Sequence, residues 1–171
     1  MVEILQDFKP FFGIKQTGIP DVGALHYLQK LGVIDIGSNS VRMVVFDGAA
    51  RSPSYFYNEK ILCGLGLGLI SSGKLNEEGK MRAISAIERF VSIAEAMEVP
   101  QLTLIATAAV RMASDGQAFC KEITKKTKKE VKIINGLEEA RLSAQGVMLG
   151  WPGAYGLICD LGGSSMELAE I

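Results

Sequence analysis

The 171-residue chain predicts an α/β fold, a mixed sheet with helices packed on its faces. Three observations carry that expectation. The stretch from Val33 to Phe46, VIDIGSNSVRMVVF, reads as strand, polar turn, strand, and a third strand pattern follows closely. Beyond it, helical periodicities alternate with short apolar runs. Near the C-terminus the opening pattern returns as LICDLGGSSMELA, Leu157 to Ala169, with Asp160 matching Asp35 and Gly162, Gly163, Ser164 and Ser165 matching the first turn, as an internal duplication would.

Residues 1–31 contain FKPFFGIKQTGIPDVG, a mixture of Pro, Gly and aromatic residues without sustained period, and are expected to form an irregular extension in which Phe8, Phe11 and Phe12 belong to a loosely packed tail. The first hairpin then places a β-branched, apolar run from Val33 to Ile36, interrupted by Asp35, against the apolar run Val41 to Phe46. Gly37, Ser38, Asn39 and Ser40 make the turn, and their small size suits a backbone that comes close to a ligand. A carboxylate on a buried-looking strand is expensive to desolvate, so Asp35 calls for a compensating cation. After a turn at Arg51, Ser52 and Pro53, Tyr55 to Leu62 alternates as a third strand. The sequence GLGLGL, Gly64 to Leu69, does not complete G-x-G-x-x-G before a helix and is expected to be a flexible connection packed beside the site.

Asn76 is placed to cap a helix whose first turn carries Glu77 and Glu78, and Met81, Ile84, Ile87, Val91, Ala94 and Met97 form its apolar stripe before Pro100. Leu102 to Ala106 is a short buried strand leading into Thr107, Ala108, Ala109, Val110 and Arg111, with a helix from about Gly116. The charge run KEITKKTKKEVK, Lys121 to Lys132, reads as a solvated helix face. Val131 to Ile134 is a further strand, closed by the turn residues Asn135 and Gly136, and Leu137 to Gly150 is a helix with Glu138 and Glu139 in its first turn. The order β, β, β, α, β, α, β, α, β, β divides into the extension at 1–31, a first domain at 32–153, and at 154–171 the first hairpin of a second, truncated domain.

A hydrophobic fraction of 48%, a charged fraction of 22% and a net charge of −1 are those of an ordinary globular chain and exclude general attraction to nucleic acid or an anionic membrane. Binding of a polyanion has to be local. Cys63, Cys120 and Cys159, odd in number and set among apolar neighbours, are expected to be reduced, buried thiols of a cytoplasmic protein. His26 is the one histidine, which argues against histidine-based metal or triad chemistry. No apolar run is long enough for a membrane span, and no signal peptide is recognisable. The exposed edge of the terminal hairpin admits pairing with a second copy, so a homodimer is one expected assembly.

Four ordered motifs, VIDIGSNSVRMVV, ATAAVR, INGLEEARLSAQGV and LICDLGGSSMEL, together resemble the exopolyphosphatase and guanosine pentaphosphate phosphohydrolase (Ppx/GppA) family, within the sugar kinase, heat-shock protein and actin superfamily. The resemblance runs from Gly32 to Ile171 and implies a ribonuclease H-like, actin-like ATPase domain. It also implies hydrolysis of a terminal phosphoanhydride bond, with inorganic polyphosphate or guanosine pentaphosphate as substrate and Mg2+ as cofactor. Carried over by motif position, Glu139 is the general base. Phosphate falls to Ser38, Asn39, Ser40, Arg111, Gly162, Gly163, Ser164 and Ser165, and the metal to Asp35, Asp160 and Glu167. Family members are longer, with two similar domains flanking a cleft, so residues 1–171 alone are expected to be inactive. The family commonly has glycine at Ser164, serine at Asn135, and a polar or charged residue at Leu67.

The chemistry gives these residue types a reason. Small turn residues can point backbone N–H groups at phosphate oxygens, and an arginine fork can hold phosphate bidentately. Carboxylates repel the substrate, which leaves Asp35 and Asp160 as oxygen ligands of magnesium, directly or through water. From spacing alone, Glu138 and Glu139 equally suit a helix first turn, Asp35 suits a turn cap, and Arg111 suits a surface ion pair. An ATP-dependent kinase or ATPase of the same superfamily, and a non-catalytic polyphosphate- or nucleotide-binding module, are the alternative functions.

Overall fold

The computed structural model describes residues 29–48 and 54–171. Phe8, Phe11, Phe12 and His26 of the extension, and the turn expected at Arg51, Ser52 and Pro53, lie outside the described residues.

Strand β1 (Leu31–Ile36) starts two residues earlier than its β-branched run indicates, because Leu31 is itself buried. It pairs antiparallel with β2 (Ser40–Phe46), which pairs antiparallel with β3 (Tyr55–Leu62). Two helices follow, α1 (Leu69–Ser72) and α2 (Glu77–Ala96), and then β4 (Gln101–Ala106) returns parallel to β1. Next come α3 (Ala108–Met112), α4 (Gly116–Thr127) and β5 (Val131–Ile133), the last parallel to β4. The order in this sheet is β3-β2-β1-β4-β5. After α5 (Gly136–Gly150), β6 (Leu157–Leu161) and β7 (Met166–Glu170) form a separate two-stranded antiparallel sheet. Helices α1 and α3, of four and five residues, are too short to show a helical period in the sequence.

The period-2 pattern of the first hairpin sets the core. Ile34, Ile36, Val41, Met43 and Val45 are fully buried, and α2 covers them with Ile84, Ile87, Phe90, Val91 and Ala94. Met81, expected in that stripe, is 64% exposed. Nine residues before the buried Phe90, it lies about two and a half turns away and so on the opposite face of the helix. Asn76 caps α2 as expected, its side chain accepting from Gly79 N at 2.8 Å.

Asp35 alternates out of the core and sits on the accessible face of β1, directly across from Arg42 of β2. The cation demanded by a buried strand carboxylate is therefore in part an arginine already in the sheet. Cys63 and Cys120 are buried, whereas Cys159 is exposed, since it lies on the outward side of the two-stranded sheet with Leu161 and Leu168. Among the described residues no helix is long and apolar enough to cross a membrane.

The glycine-rich segment after β3 is anchored, contrary to the flexible connection expected of it. Cys63 N and Gly64 N both donate to Asn39 O at 2.9 Å, Gly66 N donates to Ser38 O at 2.8 Å, and Leu65 is fully buried. Gly64 and Gly68 adopt φ of 70° and 75°, the left-handed region that favours glycine. The segment is thus a backboard for the first hairpin turn.

Candidate active site

The two hairpins repeat each other in geometry. Gly37 N donates to Ser40 O at 3.0 Å in the first turn, and Gly162 N donates to Ser165 O at 2.9 Å in the second. A Cβ on either glycine would lie 3.3 Å from the same carbonyl oxygen that closes its turn. In register, Asp35 faces Arg42 and Asp160 faces Glu167. The turns also meet each other. Ser38 Oγ hydrogen-bonds Ser164 Oγ, and a Cβ on Gly163 would lie 3.3 Å from the Cβ of Ser38 and 3.6 Å from that of Asn39. Ser38 is clasped from the other side as well, since a Cβ on Gly66 would stand 3.2 Å from it. Ser164 contributes the hydroxyl that bridges the two turns.

The end of β4 and the start of α5 supply the charged groups. Helix α3 turns directly off β4 and presents Arg111 from its last turn. Asn135 is the N-cap of α5, not a free turn residue: its side chain accepts from Glu138 N at 2.8 Å, a task for which serine and asparagine are equally suited. The helix that follows separates its two acidic residues. Glu138 faces outward to Lys132, and Glu139 faces inward to Arg111, with Nη1 to Oε2 at 2.8 Å. Arg111 Nη1 also donates to Ile134 O at 2.8 Å, and Nη2 lies 3.7 Å from Glu167 Oε1. Glu167 is buried, so Arg111 is its charge partner as well as that of Glu139. One turn farther along α5, the Ser143 hydroxyl donates to Asp160 Oδ2.

Asp35 records the electrostatic state of this region. Its carboxyl pKa is raised from the ordinary 3.8 to about 6, first by desolvation and then by the nearby Glu139 carboxylate, with Asp160 adding to the effect and Arg42 and Lys60 opposing it. Asp35 keeps solvent access along its strand face, yet it is ringed closely enough by protein that its charge is costly. The turn residues Ser38, Asn39, Ser40, Gly162, Gly163, Ser164 and Ser165, the basic Arg111 and the acidic Asp35, Glu139, Asp160 and Glu167 are brought to one region by the two hairpins, α3 and α5.

Among the described residues no three His, Cys, Asp or Glu side chains are arranged as a ready cage for a metal ion. The crowding that raises Asp35 is nevertheless a concentration of negative charge that a cation relieves, and magnesium keeps several of its waters and takes one or two carboxylates. Asp35, Asp160 and Glu167 are oxygen donors of the kind that ion takes. What the sequence did not disclose is the clasp on Ser38 by Gly66 and Gly163, the double use of Arg111, and Ser143. The repeated glycines were the one visible signal for the first of these.

The model of the Ppx/GppA phosphatase family matches residues 44–171. Exopolyphosphatase 1 of Mycobacterium bovis and that of Mycobacterium tuberculosis are each 33% identical over 144 residues, 82% of this chain and 42% of theirs. The crystal structure of an exopolyphosphatase from Cytophaga hutchinsonii matches with a TM-score of 0.75 and 33% identity, over 82% of this chain and 46% of that one. The Aquifex aeolicus member of the Ppx/GppA family matches with a TM-score of 0.71 and 25% identity, again over 82% and 46%. This chain spans less than half the length of the curated relatives it matches. The fold is that of the ribonuclease H-like, actin-like ATPase class, as the motif resemblance implied.

Proposed function

The chain belongs to the Ppx/GppA phosphatase family, and on that premise we propose that the protein is an exopolyphosphatase, hydrolysing the terminal phosphoanhydride bond of inorganic polyphosphate to orthophosphate and a chain shorter by one phosphate. Guanosine pentaphosphate, which ends in the same kind of bond, is a second candidate substrate. The observation that carries the proposal is Glu139, held by Arg111 beside two hairpin turns that touch through Ser38 and Ser164.

In this reading the turns Ser38 to Ser40 and Gly162 to Ser165 bind phosphate oxygens through backbone N–H groups and hydroxyls, where a larger residue would block the approach. Arg111 is the cation that meets the terminal phosphate. The phosphate then competes with Glu139 and Glu167 for the guanidinium, which releases Glu139 towards the attacking water. Glu139 accepts the proton of that water as its oxygen bonds to phosphorus and the bridging oxygen leaves with the shortened chain, a contribution of roughly 10²- to 10⁴-fold. Asp35 and Asp160, with Glu167 once Arg111 turns to phosphate, would hold magnesium, whose part when bound is to neutralise negative charge on the phosphates.

The test is phosphate release from polyphosphate by the full-length protein and by Glu139→Gln, which keeps shape and removes the base. We expect kcat to fall by about 10²- to 10⁴-fold with the fold intact by circular dichroism. An unchanged rate would remove Glu139 from the mechanism, and no phosphate release by the unaltered protein from either substrate would remove the function.

A further inference from the structure

Ser143 has no part in the mechanism above, yet its hydroxyl is spent in an unusual way. Three other helical hydroxyls among the described residues bond back into their own helix: Ser92 to Glu88 O at 3.1 Å, Thr124 to Cys120 O at 3.0 Å, and Thr127 to Ile123 O at 2.8 Å. Ser143 instead leaves α5 and donates to Asp160 Oδ2 on β6. It stands one turn beyond Glu139, so both side chains emerge from the same face of the helix. Those successive turns address two residues that are themselves cross-strand partners: Glu139 reaches Glu167 through Arg111, and Ser143 reaches Asp160 directly.

Torsion about the last bond of an aspartate is soft, so a strand carboxylate facing a cleft samples many orientations. A hydroxyl committed to one oxygen removes that freedom and leaves the other oxygen as the available ligand. We propose that Ser143 is a positioning residue that presents Asp160 to a divalent cation at the phosphate site, an inference that rests on the phosphoanhydride hydrolase reading. Hydrogen bonds to ligating carboxylates are commonly worth about 10- to 100-fold in metal affinity or activity. The geometry gives Ser143 that leverage without contact to substrate.

The experiment is Mn2+ binding by the full-length protein without substrate, followed by the electron paramagnetic resonance signal of free Mn2+, for the unaltered protein, Ser143→Ala and Ser143→Thr. Alanine is the better helix former, so loss of folding is not the expected effect of the first variant. Ser143→Ala should weaken Mn2+ binding by about tenfold or more, and Ser143→Thr, which keeps the hydroxyl, should restore it. In parallel, phosphate release from polyphosphate by Ser143→Ala should need more Mg2+ for half-maximal rate while kcat at saturating Mg2+ stays near that of the unaltered protein. Mn2+ affinity unchanged in Ser143→Ala, or equally weakened in Ser143→Thr, overturns the inference. If the unaltered protein releases phosphate while Ser143→Ala binds Mn2+ normally, the inference falls alone. If the unaltered protein neither binds Mn2+ nor releases phosphate, the reading of the site falls with it.

Discussion

Replacing Asp35 by asparagine should make the protein more stable at neutral pH, and only there. In the window between 3.8 and about 6 the folded chain still holds a proton that the unfolded chain has given up, so raising the pH through that window costs stability. Asparagine has nearly the same shape and carries no charge. The gap between 3.8 and about 6 converts to about 3 kcal/mol at about 1.4 kcal/mol per pH unit. Solvent access at Asp35 screens the charge, and about 1 kcal/mol is the realistic gain. With a urea dependence of about 2 kcal/mol per molar, Asp35→Asn should unfold about half a molar later at pH 7.5, and the difference should shrink towards zero as the pH approaches 4. Millimolar Mg2+ should narrow the gap at pH 7.5, because a cation beside Asp35 favours its ionised form. An Asp35→Asn protein no more stable than the parent at pH 7.5, or one with the same advantage at both pH values, would refute the account of Asp35 as a carboxylate held at a cost.

Two further outcomes test the scaffold around the site. Gly79→Ala improves helix propensity in α2, yet its Cβ would stand 2.9 Å from Gly64 O and 3.1 Å from Leu65 Cα, so the variant should lose about 1–3 kcal/mol in urea unfolding; a more stable variant would show that the glycine-rich backboard yields. Native protein should react with a thiol reagent at Cys159 alone, with Cys63 and Cys120 joining on denaturation, because burial shields both and pushes the Cys120 thiol up to about 11. Fast labelling of a second thiol in the folded state would contradict that burial.

Several elements were legible because local chemistry and tertiary structure agree on them. Asn76, followed by two glutamates and an apolar stripe, is a helix start under any packing, and α2 begins where that signal says. Glu139 faces Arg111 and Glu138 faces Lys132, although the first-turn preference treats the two alike. Met81 and Cys159 depart from the expected burial for one reason: the sequence carries their apolar character but not the side of the element they occupy. The helix phase around Phe90 turns Met81 to solvent, and the two-stranded sheet leaves the Cys159 side uncovered.

What the sequence determined by itself is therefore local and repetitive: two Asp-bearing hairpins with small-residue turns, the strands and helices between them, and the identity of the charged residues at their ends. Tertiary structure alone decided how those parts face one another. The side of β1 that Asp35 occupies depends on which strand face α2 covers. The clasp on Ser38 depends on glycines at positions 66 and 163, distant in sequence, whose missing side chains matter only when backbone closes in. Arg111 became the shared partner of Glu139 and Glu167, and Ser143 the partner of Asp160, because α5 packs against β6 and β7 with those residues on one side. Pairing of that kind is set by distance in space, and spacing along the chain carries no record of it.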